Sequence, residues 1–311
     1  MLLRTRRTRP ARLPAAIVAL AVLVVAAPAC RRAAVPEATA ASGGAAARPA
    51  AQEAPDVVLT ATVEPATVAP GGTVTVAWRL AATPGWHFYW DGRNDSGFAP
   101  RQKLFLPEGW TAGPLQWPVP ERLVSPGDIL DHVYHDEVVL LQQVTAPPRA
   151  AAGRLALRSD WQWLTCRDVC VPGRDSLAVD VTVDPAAPAP APSPALAAAR
   201  ARLPQPLPAG LLAMRWDGAA LHLQGTGALA GGRLTFMPFV DCADLADLLN
   251  DGEGTGNDLV LHLAPDARGS ARVRGLLLVQ EGAAAPRAYT IDVPRDVPRN
   301  TPDPHSTGGR P

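Results

Sequence analysis

Cys166 and Cys170, two of the four cysteines, have three residues between them in Trp161-Gln-Trp-Leu-Thr-Cys166-Arg-Asp-Val-Cys170-Val-Pro-Gly173, inside an alternating β pattern. In a fully extended strand, positions four apart are separated by roughly 13 Å, whereas a disulfide needs Cα atoms within about 7 Å. Arg167, Asp168 and Val169 must therefore turn the chain if the two sulfurs are to meet. Three chemistries fit these residue types. The first is thiol–disulfide exchange, in which a thiolate attacks a disulfide through a mixed-disulfide intermediate; here Arg167 favours the thiolate and Asp168 opposes it. The second is a permanent hairpin staple, common in exported β-proteins. A loop this short takes little entropy from the unfolded chain, so the bond would add little stability, but spacing alone leaves both readings open. The third is a soft metal site for Cu(I) or Zn(II), with His132, His135 or Cys242 joining the pair.

The elements that must position the pair are strands. Val74, Val76, Trp78 and Leu80 alternate with Thr73, Thr75, Ala77 and Arg79 after a Pro-Gly-Gly turn, the pattern of a half-buried strand. Leu177, Val179, Val181 and Val183 alternate likewise after the cysteine loop, and short runs such as Val138–Val144 and Leu155–Leu157 lie between. Seven to nine short strands over residues 56–184 predict an immunoglobulin-like β-sandwich. The runs Leu221–Leu223, Leu234–Phe239, Leu259–Leu263, Leu276–Val279 and Ala288–Val293 predict a second small β-rich domain over 207–294, with Cys242–Leu249 as its one helical turn. The fold class is thus all-β, two domains in series. Between them, the Ala/Pro tract within 185–206 predicts a spacer of polyproline geometry.

The ends carry other signals. Arg4, Arg6, Arg7, Arg9 and Arg12 precede the apolar run Ala15–Ala27, which is too short and alanine-rich for a membrane span and fits an export signal over residues 1–30. It closes on Ala-Ala-Pro-Ala-Cys30, a lipoprotein-type cleavage pattern that would make Cys30 the lipidated terminus, although Ala27 stands where Leu is usual. An ordinary signal peptide is the alternative, and either predicts export to a disulfide-permitting compartment. Residues 31–55 and 295–311 read as tether and tail without hydrophobic periodicity. With 29 basic and 29 acidic residues, the chain lacks the basic excess of a nucleic-acid binder. No phosphate-binding glycine loop or Ser-His-Asp order is present, and no cofactor is called for.

Several stretches, in order, resemble the amino-terminal periplasmic domain of the thiol:disulfide interchange protein DsbD family, in the branch of the copper-sensitivity suppressor ScsB. They are Pro84-Gly-Trp-His-Phe-Tyr-Trp90, Asn94-Asp-Ser-Gly97, Leu106-Pro-Glu-Gly-Trp110, Gly113-Pro-Leu-Gln-Trp-Pro-Val-Pro-Glu-Arg122, Tyr134-His-Asp-Glu-Val138 and Trp163-Leu-Thr-Cys166-Arg-Asp-Val-Cys170-Val-Pro172. Arg274-Gly-Leu-Leu-Leu-Val279 with Arg287-Ala-Tyr-Thr-Ile-Asp292 is similar to the segment that follows in that branch. The resemblance implies an immunoglobulin-like fold and a cycling cysteine pair. It implies that Cys170 forms the mixed disulfide and Cys166 resolves it, with periplasmic disulfide isomerases or cytochrome c maturation thioredoxins as partners.

It also implies a loop that shields the cysteines. Leu115–Arg122 is the candidate cap, with Leu115, Gln116, Trp117, Trp163 and Tyr134 as cap or docking residues; Trp161 is the alternative to Trp163 at the surface. Most of the tryptophans, and His87, fit core or strand packing. Asp136 and Glu137 are candidate proton acceptors, or simply a solvated turn. Cys242 is left over and fits a buried apolar site, a second redox contact or a dimer bridge. The family's membrane and thioredoxin-like domains have no counterpart in this sequence, so a separate membrane protein is the expected electron donor. Docking without chemistry, and copper handling, are the alternative functions.

Overall fold

The computed structural model describes residues 55–189, 193–265 and 272–295. The export signal, Cys30, all but residue 55 of the tether and the tail from residue 296 lie outside the described residues. Strands begin at β1 (Val57–Glu64), β2 (Thr67–Val68), β3 (Thr73–Ala82), β4 (His87–Tyr89), β5 (Arg101–Phe105) and β6 (Thr111–Ala112). They continue through β7 (Glu121–Ser125), β8 (Ile129–His135), β9 (Glu137–Thr145), β10 (Gly153–Cys166) and β11 (Cys170–Val183). One sheet has the order β1-β3-β9-β6; the other runs β2-β11-β10-β4-β8-β7, with β5 also paired to β10.

These two sheets form an immunoglobulin-like sandwich, and the period-2 alternation of the sequence places its core. Val74, Val76, Trp78 and Leu80 of β3 are fully buried and meet Leu157, Trp161 and Trp163 of β10 and Val179, Val181 and Val183 of β11. Trp78 and Trp161 lie 5.7 Å apart between ring centroids, and the Trp78 indole N–H donates to Gln142 Oε1 at 3.1 Å. Trp161 and Trp163 are thus core residues, which corrects the expectation that one of them faces the surface.

The short runs expected around Leu155 belong to a single ladder. β10 and β11 are each fourteen residues long. Polar positions on the outer face interrupt the apolar alternation there, yet Asp160 holds them with an ion pair to Arg158 (3.0 Å) and a hydrogen bond from the Ser176 hydroxyl (2.8 Å). At Gly173 a Cβ would come within 2.2 Å of Trp163 Nε1, so this position opposite Trp163 must stay bare for the indole to pack.

The predicted polyproline spacer is instead partly helical. Helix α1 (Pro194–Ala201) starts at Ser193, whose hydroxyl accepts from Leu196 N–H at 3.2 Å, with Pro194 at the first turn. A capping serine, proline at a tolerated position and a run of alanines favour helix over extended chain. Strands β12 (Gln205–Pro206), β13 (Leu212–Asp217), β14 (Ala220–Gly225) and β15 (Arg233–Pro238) follow. Helix α2 (Leu248–Asp251) and strands β16 (Asp258–His262), β17 (Arg272–Gln280) and β18 (Arg287–Pro294) complete the described chain. Sheets β12-β18-β17-β15 and β13-β14-β16 enclose a second core around Leu221, Leu223, Phe236, Leu261 and Leu277. The helical turn expected at Cys242–Leu249 begins later, where Asp247 accepts from Asn250 N–H and caps α2.

The two sandwiches share packing. Met237 and Leu276 join the first core, and Phe239 lies 5.6 Å from Trp90. Arg93 donates from its backbone N–H to Pro238 O (3.0 Å) and pairs with Asp244 (2.8 Å), while Arg122 pairs with Glu253 (2.6 Å) and donates to Leu249 O (2.5 Å). His132, fully buried, stacks edge-on with Trp90 and places Nδ1 2.7 Å from Arg93 O.

Burial holds the His132 imidazole below its ordinary value of 6.5. As pH falls through that value the unfolded chain takes up the proton first, so stability present above about pH 6.5 is lost below it. The urea midpoint of the protein is expected to drop between pH 7.5 and 5.5 more steeply than that of His132→Phe. Parallel declines would place the proton uptake elsewhere.

Candidate functional site

The β10–β11 ladder ends with Cys166 directly opposite Cys170. Arg167–Val169 make the turn, closed by Arg167 N–H donating to Val169 O at 3.2 Å. The Cα atoms are 4.1 Å apart and the two sulfurs are joined as a disulfide. The two cysteines differ sharply in exposure: Cys166 is 3% exposed, whereas Cys170 is an exposed residue.

Side chains directly opposite one another share a face of a sheet. Cys166 pairs with His87 as well as with Cys170, and His87 pairs with His135. One row therefore crosses four strands, Cys170–Cys166–His87–His135, on the face of the sheet turned away from the main core. Tyr89, Val133 and Cys166 form a separate small apolar cluster on that face, with Leu123 and Leu164 packed against it.

Above this cluster folds the loop after β4. The Tyr89 hydroxyl lies 3.7 Å from Cys170 Sγ and 3.2 Å from Ser96 Oγ. The buried Asp131 carboxylate accepts from Ser96 N–H (3.0 Å) and from the Ser96 hydroxyl (2.5 Å). Gly97 rests against the Tyr89 ring, where a Cβ would come within 2.1 Å of Cζ. Burial raises the Tyr89 phenol above its ordinary value, keeping it a neutral hydrogen-bonding group beside the sulfur.

The charges beside the cysteines engage each other. Arg167 Nε lies 3.2 Å from Asp168 Oδ2, and the Arg167 guanidinium sits 5.1 Å from the Trp86 ring centroid.

The structure does not gather the other predicted residues here. Leu115 and Trp117 pack against the main core. Gln116 exchanges backbone hydrogen bonds with Leu141 (2.7 and 3.1 Å), Trp117 stacks on Tyr134, and the Tyr134 hydroxyl donates to Pro118 O at 2.7 Å. Tyr134 follows Val133 on β8 and so faces the opposite side of the sheet. The side chain beside the disulfide is thus Tyr89, with Ser96 and Gly97 against it, whereas Leu115 and Trp117 pack on the main core and Arg122 is held by the second sandwich. Trp163, 5% exposed, is a core residue.

Asp136 and Glu137 serve the β8–β9 turn rather than the sulfurs. Asp136 adopts φ 61° and accepts from Gly85 N–H at 2.7 Å, and Glu137 pairs with Arg79 at 2.6 Å. Cys242 lies 2% exposed in the second core, where burial pushes its thiol up and Arg274 N–H donates to Sγ at 3.4 Å. His132 faces away from His135 on alternating positions of β8. The predicted metal set is therefore dispersed, and among the described residues no cluster of three or more His, Cys, Asp and Glu could hold a metal ion.

Tyr89, Ser96 and Asp131 escaped prediction. The signal was present, because Tyr89 stands two residues from His87 and hence on its face, and Ser96 lies in the Asn94–Gly97 motif.

The chain from residue 55 to 182 matches the family model described as thiol:disulfide interchange protein DsbD, N-terminal. Residues 55–182 form a DsbD N-terminal-like domain. The matched residues include Cys166 and Cys170, joined as a disulfide, which supports thiol:disulfide interchange in general. The N-terminal periplasmic domain of ScsB from Proteus mirabilis is similar in structure: 19% identity, 76% of this chain and 93% of that chain covered, TM-score 0.48. The Neisseria meningitidis DsbD N-terminal domain in the reduced form gives 18% identity over 40% of this chain and 85% of that one, TM-score 0.25. No curated protein matches the chain. Among the described residues no helix is long and apolar enough to cross a membrane.

Ser96→Ala removes a hydrogen bond from a buried carboxylate and is expected to cost about 1–3 kcal/mol. It is also expected to speed reduction of the disulfide by dithiothreitol, because the Tyr89 hydroxyl beside Cys170 loses its Ser96 partner. An unchanged urea midpoint and an unchanged reduction rate would show that Ser96 does not hold the loop.

Proposed function

We propose that the DsbD N-terminal-like domain passes reducing equivalents in the periplasm to a thioredoxin-like or disulfide-isomerase partner by opening and closing the Cys166–Cys170 disulfide. The observation that carries this is the unequal exposure of the two cysteines, Cys170 exposed at the turn and Cys166 3% exposed behind it. An incoming nucleophile or disulfide meets Cys170. Cys166 then acts only from within the domain.

In the reduced domain the Cys170 thiolate attacks one sulfur of the partner disulfide. A Cys170–partner bond forms and the partner's other sulfur leaves as thiolate. Cys166 next attacks Cys170 Sγ, forming the intramolecular disulfide and releasing the second partner thiol. Two electrons and two protons pass to the partner. A separate membrane protein that carries a dithiol returns the domain to its reduced state by the reverse sequence.

Exposed apolar groups suit transient docking beside the reactive sulfur. Val169 is 50% exposed in the turn, and Phe98, next to Gly97 of the loop after β4, is 41% exposed. In this scheme residues 56–184 are the redox module and 185–206 connect it to a second β-rich domain at 207–294. Residues 31–55 tether the whole to a lipid on Cys30.

The test uses the full exported chain. Cys166→Ala is expected to accumulate mixed disulfides with periplasmic proteins through Cys170, seen on non-reducing gels, while Cys170→Ala accumulates none. Redox titration of the wild type should give a midpoint above about −300 mV, the range of exchangeable rather than structural bonds. A lower midpoint together with no trapped partner would reduce Cys166–Cys170 to a staple.

A further inference from the structure

Reversible chemistry at Cys166 raises a problem that the cysteines alone do not solve. Whenever the disulfide opens by attack on Cys170, the Cys166 sulfur departs with the bonding electron pair and carries negative charge. It does so at 3% exposure, beside Tyr89, Val133, Leu123 and Leu164, where solvent cannot stabilise the charge. When the disulfide re-forms, the same buried thiol must lose a proton before it can attack.

Three polar groups stand near, and two are committed. The Tyr89 hydroxyl faces Cys170 and Ser96. Asp131 accepts two hydrogen bonds from Ser96. His87 is directly opposite Cys166 across the β10–β4 ladder, and side chains so placed have Cβ atoms about 4.5–5.5 Å apart.

Burial then decreases along the row. His87 is 8% exposed, while its own cross-strand partner His135 is an exposed residue whose ring centroid lies 6.0 Å away. His135 Nε2 in turn lies 3.8 Å from Glu121, at 73% side-chain exposure.

Building on the exchange function above, we propose that His87 transfers the proton to and from Cys166, and that His135 connects His87 to solvent. As the disulfide opens, one ring nitrogen of His87 gives its proton to the departing Cys166 sulfur, and the other takes a proton arriving through His135. As the disulfide re-forms, the Cys166 thiol proton passes to His87 and leaves by the same route. The imidazole ends each half-cycle neutral, with its proton on the other nitrogen, so charge and protons balance. Burial first, and the neighbouring His135 second, hold the His87 imidazole below the ordinary histidine value, with Asp131 opposing them. A neutral ring has both a donor and an acceptor, as a relay requires.

The titratable and charged groups around His87 are His135 and Asp131 on β8, Tyr89 on β4 and Cys166 on β10, with Glu121 on β7 beyond His135; of these His135 and Asp131 act on its titration.

The experiment follows release of thionitrobenzoate at 412 nm when the reduced full chain, carrying Cys30→Ala and Cys242→Ala, meets Ellman's reagent. The first equivalent reports attack by Cys170, and the second reports resolution by Cys166. His87→Phe is expected to slow the second phase at least tenfold, below the roughly 10²–10⁴-fold span of acid–base assistance, while the first phase stays within about twofold. The second phase of the variant should recover only as pH rises toward the thiol's own ionisation, and His135→Phe should give a smaller slowing of the same phase. His87→Gln, which keeps a polar side chain but cannot relay a proton, covers the case in which the phenylalanine variant does not fold. Equal slowing of both phases, or an unaltered second phase in a folded variant, would overturn the relay. Absence of a second equivalent from the wild type would instead overturn the exchange function on which it rests.

Discussion

The register of one hairpin governs this site. Because Cys166 opposes Cys170 at the end of a fourteen-residue ladder, the sulfurs meet without a long loop to organise. A slip of one residue would turn every side chain of the strand to the other face. It would carry Cys166 into the tryptophan core and expose Trp161 and Trp163. The register is fixed at the far end by burial of Leu157, Val179 and Val181, and midway by Trp161 and Trp163. The packing of the sandwich and the chemistry of its rim are therefore one constraint.

The same ladder accounts for the asymmetry between the cysteines. Cys166 is the last residue of an inner strand, flanked by β11 on one side and β4 on the other, so its side chain is enclosed by neighbours on both. Cys170 begins the next strand just after the turn and lacks such an enclosure. No special device is required to leave one cysteine exposed and enclose the other. Strand order does it.

Much of this was legible in the residues. Alternation at Val74–Leu80 and Leu177–Val183 placed the core strands, and the three residues between the cysteines implied the turn that Arg167–Val169 make. The interchange family was visible in motifs spread along the first sandwich. What the sequence concealed was lateral. Nothing in the order of residues shows that His87, seventy-nine positions before Cys166, becomes its neighbour, or that β8 turns Val133 toward the sulfurs and Tyr134 away. Leu115–Arg122 was mistaken for the cover because a tryptophan in a proline-rich loop resembles a surface feature, whereas stacking on Tyr134 makes Trp117 part of the wall. Asn94–Gly97 stood out as a motif, but its role rests on the contact of Ser96 with Asp131, which sequence order does not show. Helix α1 was hidden by prolines whose effect depends on position: Pro194 starts a helix that it would break from within.

The loop between β4 and β5 is attached at successive residues. Gly92 and Arg93 are fastened to Pro238, Phe239 and Asp244 of the second sandwich. Ser96 and Gly97 rest on Asp131 and Tyr89, the latter in contact with Cys170. So short a span cannot swing as a free flap. Between these points Asn94 accepts from His132 N–H and Asp95 exchanges hydrogen bonds with Leu130, so any displacement at Ser96 works against β8 before it reaches the second sandwich. The second sandwich thereby buttresses the upstream end of a loop whose downstream end rests on Tyr89, although it contributes no atom to the disulfide itself.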